Sequence, residues 1–167
     1  MRKVEWIGAI VLVGVLGGAA ALATTIDFGL HTNTVASDTG LPAYPGAKPH
    51  KDKDDESGVR LWGSVGAFGM KMAVSELDSD DQPARVAGFY RDALRKFGPV
   101  LDCSPGQPRP PKAAKNSDAL DCGDDHAEAG GFVFKVGVKK NFHVVAVEPQ
   151  GRGSKIGLVA VQMRGTD

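Results

Sequence analysis

FVFKVGVKKNFHVVAVEPQGRGSKIGLVAVQM, residues 132–163, is the stretch that decides the fold. Apolar residues alternate with other residues in three consecutive runs, and a period of two is typical of β-strands. Residues 139–141 separate the first two runs, residues 150–154 separate the last two, and both segments are rich in turn-forming residues. This stretch therefore predicts three antiparallel strands joined by two hairpins.

A second group of strands is predicted between residues 59 and 77. Even-numbered positions there are mostly apolar and glycines interrupt them, which predicts a short strand at 59–64, a bend, and a longer strand at 68–77. Met70 and Met72 could suggest soft-metal ligation, but no further soft ligand lies nearby in sequence, so we interpret them as core residues. Residues 99–103 predict one more short strand.

One amphipathic helix is predicted at residues 83–97. Asp80 and Asp81 offer a cap, Pro83 suits the first turn, and Gly98 ends the helix. One face is continuously apolar and carries Val86, Phe89, Tyr90, Ala93, Leu94 and Phe97. Together these elements predict an α+β fold, an antiparallel sheet with one long amphipathic helix packed on one face.

The N-terminus predicts an export signal or a membrane anchor. Arg2 and Lys3 precede an uncharged run at residues 6–26, whose 21 residues would span roughly 30 Å as a helix. The run is long enough to cross a bilayer as a single-pass anchor with an extracytoplasmic domain. Its end also resembles a signal-peptidase site, which would place cleavage after Ala23 and release a secreted or periplasmic protein. Both interpretations put the rest of the chain outside the cytoplasm.

The domain boundaries follow from composition. Residues 1–26 are the signal peptide or transmembrane anchor, and residues 27–40 are small, polar and without periodicity, which predicts a flexible linker. Residues 41–167 form a single extracytoplasmic α+β domain in this interpretation. Its mixed-charge segment at 48–56 predicts a solvated loop, with His50 as a surface residue.

Cys103 and Cys122 are the only cysteines in the chain. An even pair that flanks an irregular segment of an exported protein predicts a structural disulfide. A redox-active pair usually needs closer spacing and a helix start that stabilises the thiolate, and this sequence has neither. The disulfide is therefore the prediction for both residues.

Charge excludes some partners. The chain holds 20 basic and 20 acidic residues; without Arg2, Lys3 and Glu5, 18 basic and 19 acidic residues remain. A nucleic-acid-binding protein would show a strong basic bias, so we expect no nucleic-acid partner. The membrane, through the N-terminal segment, and an envelope protein of unknown identity are the expected partners.

No catalytic or cofactor motif is present, so we expect a non-catalytic protein without a cofactor. The serines stand in no nucleophile motif, and residues 151–155 resemble a phosphate loop but lie between two strands. The acidic run at 118–128 lacks the ligand spacing of a calcium loop and supplies too few ligands for zinc. We therefore predict no metal site, although the sequence leaves open whether a cation binds to the run formed by Asp118, Asp121, Asp124, Asp125, His126 and Glu128.

Several motifs resemble an uncharacterised family of exported or membrane-anchored bacterial proteins. They are Tyr-Pro-Gly-Ala at residues 44–47, Phe-Tyr-Arg at 89–91, Val-Leu-Asp-Cys at 100–103 and Glu-Pro-Gln-Gly at 148–151. The resemblance covers most of the chain after residue 40 and implies a bacterial source and an envelope location. It implies no activity and no functional residues.

Two functional hypotheses remain. The first is a protein-interaction or accessory module of the bacterial envelope, which binds through the helix-free face of the sheet or through the disulfide loop. The alternative is a small-ligand or metal-binding extracytoplasmic domain that uses the acidic run or the strand carrying Met70 and Met72.

Overall fold

The structure, a computed structural model, describes residues 26–51, 58–108 and 110–165. Helix α1 spans Pro83–Leu94, and short 3-10 turns occur at Ala36–Thr39 and Arg95–Phe97. The strands are β1 Ile26–Thr32, β2 Lys48–Pro49, β3 Gly58–Val65, β4 Phe68–Ser79, β5 Leu101–Asp102, β6 Phe132–Val138, β7 Asn141–Gln150 and β8 Gly153–Arg164.

The eight described strands form a single antiparallel sheet. Seven lie side by side in the order β1-β3-β4-β8-β7-β6-β5, and β2 pairs with the end of β4. The two hairpins predicted from residues 132–163 are present as the β6–β7 and β7–β8 pairs. Strand β4 then pairs with β8 over eleven residues, from Gly69 opposite Arg164 to Ser79 opposite Ser154, which joins the two groups of strands.

The predicted α+β class is wrong, because the fold is mostly β. Strands make up 46% of the described residues, and the helical segment, with its 3-10 turn, has only 15 residues. Seven adjacent strands at about 4.8 Å spacing give a sheet roughly 30 Å wide, whereas a helix is about 10–12 Å in diameter. A single short helix therefore cannot form a second layer over this sheet.

Helix α1 covers one end of one sheet face. Its buried residues pack on the side chains of β4, β6, β7 and β8 that point to the same side, and Tyr44 closes the cluster. Tyr44 Oη donates to Asp81 Oδ2 at 2.7 Å, and Arg85 pairs with the same carboxylate at 3.1 Å. Asp81 therefore fixes the start of the helix through these partners, while Gln82 occupies the cap position. The main buried residues are Val86, Tyr90, Leu94, Phe134, Val136, Val145, Val147, Ile156 and Leu158.

The disulfide loop, residues 103–122, covers part of the sheet face opposite α1. Cys103 and Cys122 are bonded, with their Cα atoms 5.5 Å apart, which confirms the predicted disulfide. Both cysteines are buried with Ala127 and Val133, and Val144 and Ala146 of the sheet pack against them. Such a bond indicates an oxidising, extracytoplasmic environment.

Residues 27–40, predicted as a flexible linker, contain regular structure. Strand β1 pairs along its whole length with β3, and the 3-10 turn that follows buries Ala36 and Thr39. Ile26, Phe28 and Leu30 alternate with Asp27, Gly29 and His31, and the prediction of a linker overlooked this period of two.

Residues 1–25 of the predicted anchor or signal peptide at 1–26, with the cleavage position after Ala23, lie outside the described residues, and Ile26 begins β1. Within the part of the chain that the structure describes, no helix is both long and apolar enough to span a membrane.

Replacing Leu94 by alanine tests the packing of α1. Leu94 is fully buried, so the substitution leaves a cavity and should lower the free energy of unfolding by roughly 2–5 kcal/mol. Arg95→Ala is the matched control, because Arg95 pairs only with Asp92 on an exposed surface and its loss should cost at most about 0.5 kcal/mol. Denaturant unfolding measures both; equal losses would contradict the packing of α1 described above.

Removing the disulfide tests the second cluster. The double substitution Cys103→Ala and Cys122→Ala reopens a loop closed across a sequence separation of 19 residues. It should cost roughly 3 kcal/mol of unfolding free energy in the chain-entropy account. Alkylation of the denatured, non-reduced wild-type protein provides the companion measurement, and labelling of both cysteines would show that the bond is absent.

Candidate functional site

The register of the strands assigns each side chain to one of the two sheet faces. Directly opposite residues in an antiparallel pair point to the same side, and successive residues alternate. Val59 lies opposite Val74, and Val74 lies opposite Val159, so these three share a face. On that side β1, β3, β4 and β8, with the start of β7, carry Ile26, Phe28, Leu30, Val59, Leu61, Val65, Phe68, Met70, Met72, Val74, Phe142, Val159, Val161 and Met163; we call this set the open face.

Neither packed cluster of the described residues covers the open face, of which Val161 is the buried member. Neither cluster of buried hydrophobic residues includes any of its members. One corner is strongly exposed: Ile26 by 75%, Phe28 by 71%, Leu30 by 60%, Val65 by 47% and Phe68 by 45%. Monomeric soluble proteins rarely leave a contiguous apolar surface of this extent uncovered, and such surfaces mark interaction sites.

Charge on this side of the four strands is confined to one end. The charged residues at that end are Glu76, Asp78 and Lys155. Glu76 and Lys155 form an ion pair at 3.1 Å, and Asp78 lies 2.7 Å from His50. Away from this end, the open face presents hydrocarbon and thioether groups. It therefore fits an apolar surface better than a charged one.

Met70 and Met72 lie on the open face and are partly exposed, so their prediction as core residues was wrong. Met163 lies directly opposite Met70, which groups three of the chain's four methionines on this surface. Unbranched thioether side chains adapt their shape, and proteins that bind varied partners use them on their binding surfaces. No His, Cys, Asp or Glu cluster that could hold a metal ion occurs among the described residues.

A polar cleft of about 600 Å³ occupies the other face of β3, β4 and β8, beside the helix-covered region. Arg60 pairs there with Asp38 at 3.0 Å, and Lys71, Asn141 and Gln162 complete its polar side. The cation of Arg60 is already neutralised by this partner. The cleft is therefore a polar recess with weak net charge.

His143 lies at the inner end of the cleft and is buried. Its ring stacks on Phe97, with centroids 3.9 Å apart, and burial lowers the pKa of His143 below its ordinary value of 6.5. Thr39 Oγ1, which also lines the cleft, donates to the carbonyl of Ala36 at 2.6 Å. These contacts give both side chains a structural role.

Three residues of the acidic run at 118–128 make local side-chain contacts. Asp121 Oδ2 accepts from the backbone N–H of Ala113 at 2.8 Å, and Asp125 pairs with Lys135. His126 Nδ1 lies 2.6 Å from the carbonyl oxygen of Asp124. The run therefore fastens the disulfide loop to β6.

Of two further predicted assignments, the structure contradicts one and confirms the other. His50, predicted as a surface residue, is buried and lies 2.7 Å from Asp78. Residues 151–155 form the tight β7–β8 hairpin, as the spacing predicted, and Ser154 Oγ donates to the carbonyl of Asp81 at 2.6 Å. This hairpin is thereby fixed to the start of α1.

The apolar pattern of β8 already indicated the open face, but alternation alone does not show whether a sheet face is covered. Strand β8 is apolar on both sides, because Ile156 and Leu158 alternate with Val159 and Val161. A strand that is apolar on both faces predicts cover on both faces. Here the described layers cover only one of them along β8.

The chain matches no protein-family model, no curated protein and no solved structure.

Stability should depend on pH through His143. Because its pKa is lowered in the folded state, the unfolded chain binds a proton first as the pH falls. The stabilisation is present above about pH 6.5 and is lost as the pH falls toward the lower folded-state pKa. Melting temperatures between pH 7.5 and 5 should decline in the wild type and decline less in His143→Gln.

His126→Gln is the matched control for this measurement, since His126 is exposed. The control should keep the wild-type pH dependence. An unchanged slope in His143→Gln would show that another group is responsible.

Proposed function

We propose that this chain is a non-catalytic protein-interaction or accessory module of a bacterial envelope, and that its open face binds an apolar surface of a partner protein. The observation that carries the proposal is the uncovered apolar side of β1, β3, β4 and β8. Fully burying one large apolar side chain contributes about 1.5–3 kcal/mol. The five strongly exposed residues at the corner therefore offer enough hydrophobic free energy for specific association.

The chemistry of the surface favours a protein partner with an apolar patch. Its methionines can adapt to an irregular partner, while its aromatic residues Phe28 and Phe68 supply large contact areas. The near-neutral charge of the chain argues against association driven by long-range electrostatics.

The disulfide supports an extracytoplasmic location, and we propose that the N-terminal segment holds the protein at the cell membrane as a single-pass anchor. The alternative is release after cleavage following Ala23. The resemblance of the Tyr-Pro-Gly-Ala and Phe-Tyr-Arg motifs to exported bacterial proteins supports a bacterial envelope as the setting.

Site-specific photo-crosslinking in intact cells tests the binding surface. A photoreactive residue in place of Met70 should yield a covalent adduct with a discrete protein, because Met70 lies inside the open face. The same residue in place of Arg152 is the matched control, since Arg152 is exposed in the β7–β8 hairpin. An adduct of equal yield at both positions would contradict the proposal.

The yield of the cross-linked adduct should also depend on the apolar character of the open face. The substitution Phe68→Asp should abolish it, because a carboxylate would have to be desolvated on binding. The side chain of Phe68 is 45% exposed, so the melting temperature should change little. Retention of the adduct would show that the partner binds elsewhere.

The cleft beside His143 supports the alternative, a small-ligand-binding domain. A volume of about 600 Å³ falls in the range of small-molecule sites. Under this alternative, a ligand found by thermal-shift screening would raise the melting temperature of the wild type and not of the double variant Lys71→Ala and Gln162→Ala. The open-face substitution Phe68→Asp would leave that shift unchanged.

A further inference from the structure

Strand β1 ends the sheet with an unprotected edge. It pairs with β3 on one side, and it has no partner on the other side among the described strands. Natural edge strands are usually shortened, bulged, or blocked by lysine or proline, because a free edge pairs with other chains. Strand β1 has seven residues, IDFGLHT, with neither lysine nor proline. The opposite edge strand, β5, is only two residues long.

We propose that β1 pairs antiparallel with β1 of a second copy of this chain, about a twofold axis through Gly29. This inference goes beyond the proposed function and does not depend on it. The axis places Phe28 of each copy opposite Leu30 of the other and Asp27 of each copy opposite His31 of the other.

Both kinds of opposite pair are favourable. On the cleft side of the sheet, an imidazole N–H of His31 can donate to the carboxylate of Asp27 in the other copy. On the open face, Phe28 packs beside Leu30, and these side chains are 71% and 60% exposed in the single copy. Symmetry repeats each pair, so the dimer interface gains two polar and two apolar cross-strand contacts.

The register is specific. A one-residue shift would place the open face of one copy beside the cleft side of the other. A twofold axis perpendicular to the sheet keeps the open faces of both copies on the same side, so it excludes this shift. A shift by two residues leaves Asp27 opposite Gly29 or Asn33 and loses both polar pairs. Asn33, with φ of 61°, ends the strand directly after Thr32, so the full seven-residue overlap is also the longest one.

Pairing at this edge extends the open face. The twofold axis runs perpendicular to the sheet, so both copies present their open faces on the same side. The exposed corner of each copy then lies next to that of the other. The dimer thereby offers a partner one continuous apolar surface in place of two separate ones.

Disulfide trapping of the full chain in its native membranes tests the register. Both native cysteines are bonded to each other, so an introduced cysteine is the single free thiol. A Phe28→Cys chain should cross-link to a differently tagged Leu30→Cys chain about fivefold faster than either cross-links to itself, because directly opposite Cβ atoms are closest. Both side chains are largely exposed, so neither substitution should impair folding.

Val65→Cys is the matched control, because Val65 is 47% exposed on the same face but belongs to β3. Mixed cross-linking no faster than the self-cross-linking of Val65→Cys overturns the proposal. Faster cross-linking of Phe28→Cys or Leu30→Cys with itself overturns the register, since those pairs belong to the shifted alignments. Protection of both positions from a water-soluble thiol reagent without cross-linking would place β1 against lipid and would also overturn it.

Charge complementation provides an independent measurement. His31→Asp places carboxylates opposite each other twice and should weaken the dimer of the full chain in detergent about tenfold. Asp27→Lys removes the carboxylate and should also weaken it. A mixture of the two variants restores an acidic group opposite a basic group at both positions, so mixed dimers should form preferentially in sedimentation. Equal affinities for the mixed and the separate dimers overturn the polar pairing.

Discussion

The sheet is wider than the layers that cover it, and the rest of the structure depends on this constraint. Helix α1 covers one side of the sheet near β6, β7 and β8, and the disulfide loop covers the other side near β6 and β7. Among the described residues, no comparable layer lies over β1, β3 and β4 on the open face. The covered half holds the fold together, and the uncovered half carries the surfaces available for binding.

The sequence predicted the elements better than their assembly. Alternation correctly predicted the strands between residues 132 and 163, and amphipathic spacing correctly predicted α1. The cysteine pair predicted the disulfide. Each of these signals is local in the sequence. The predicted class failed because alternation does not reveal how many strands join one sheet. Strand β1 was missed because its alternation, Ile26, Phe28 and Leu30, is short and follows directly on the predicted anchor, while its pairing with β3 is a long-range backbone interaction.

The candidate site was predictable only in part. The methionine strand attracted notice in the sequence, but Met70 and Met72 were assigned to the core, since a period of two identifies a face without showing whether another layer covers it. Whether another layer covers a sheet face is decided by the tertiary fold. The helix-free face of the sheet was nevertheless one of the two binding surfaces named from the sequence, and the structure gives it residues and limits.

The central claim is that the open face is accessible in the isolated protein and buried in the envelope. Hydroxyl-radical footprinting of the full chain reports this directly, because methionine oxidises readily where it is accessible. Met70, Met72 and Met163 should oxidise in the purified protein and be protected in intact membranes, whereas the exposed His126 should be labelled in both states. Equal oxidation of the three methionines in both states would contradict the claim.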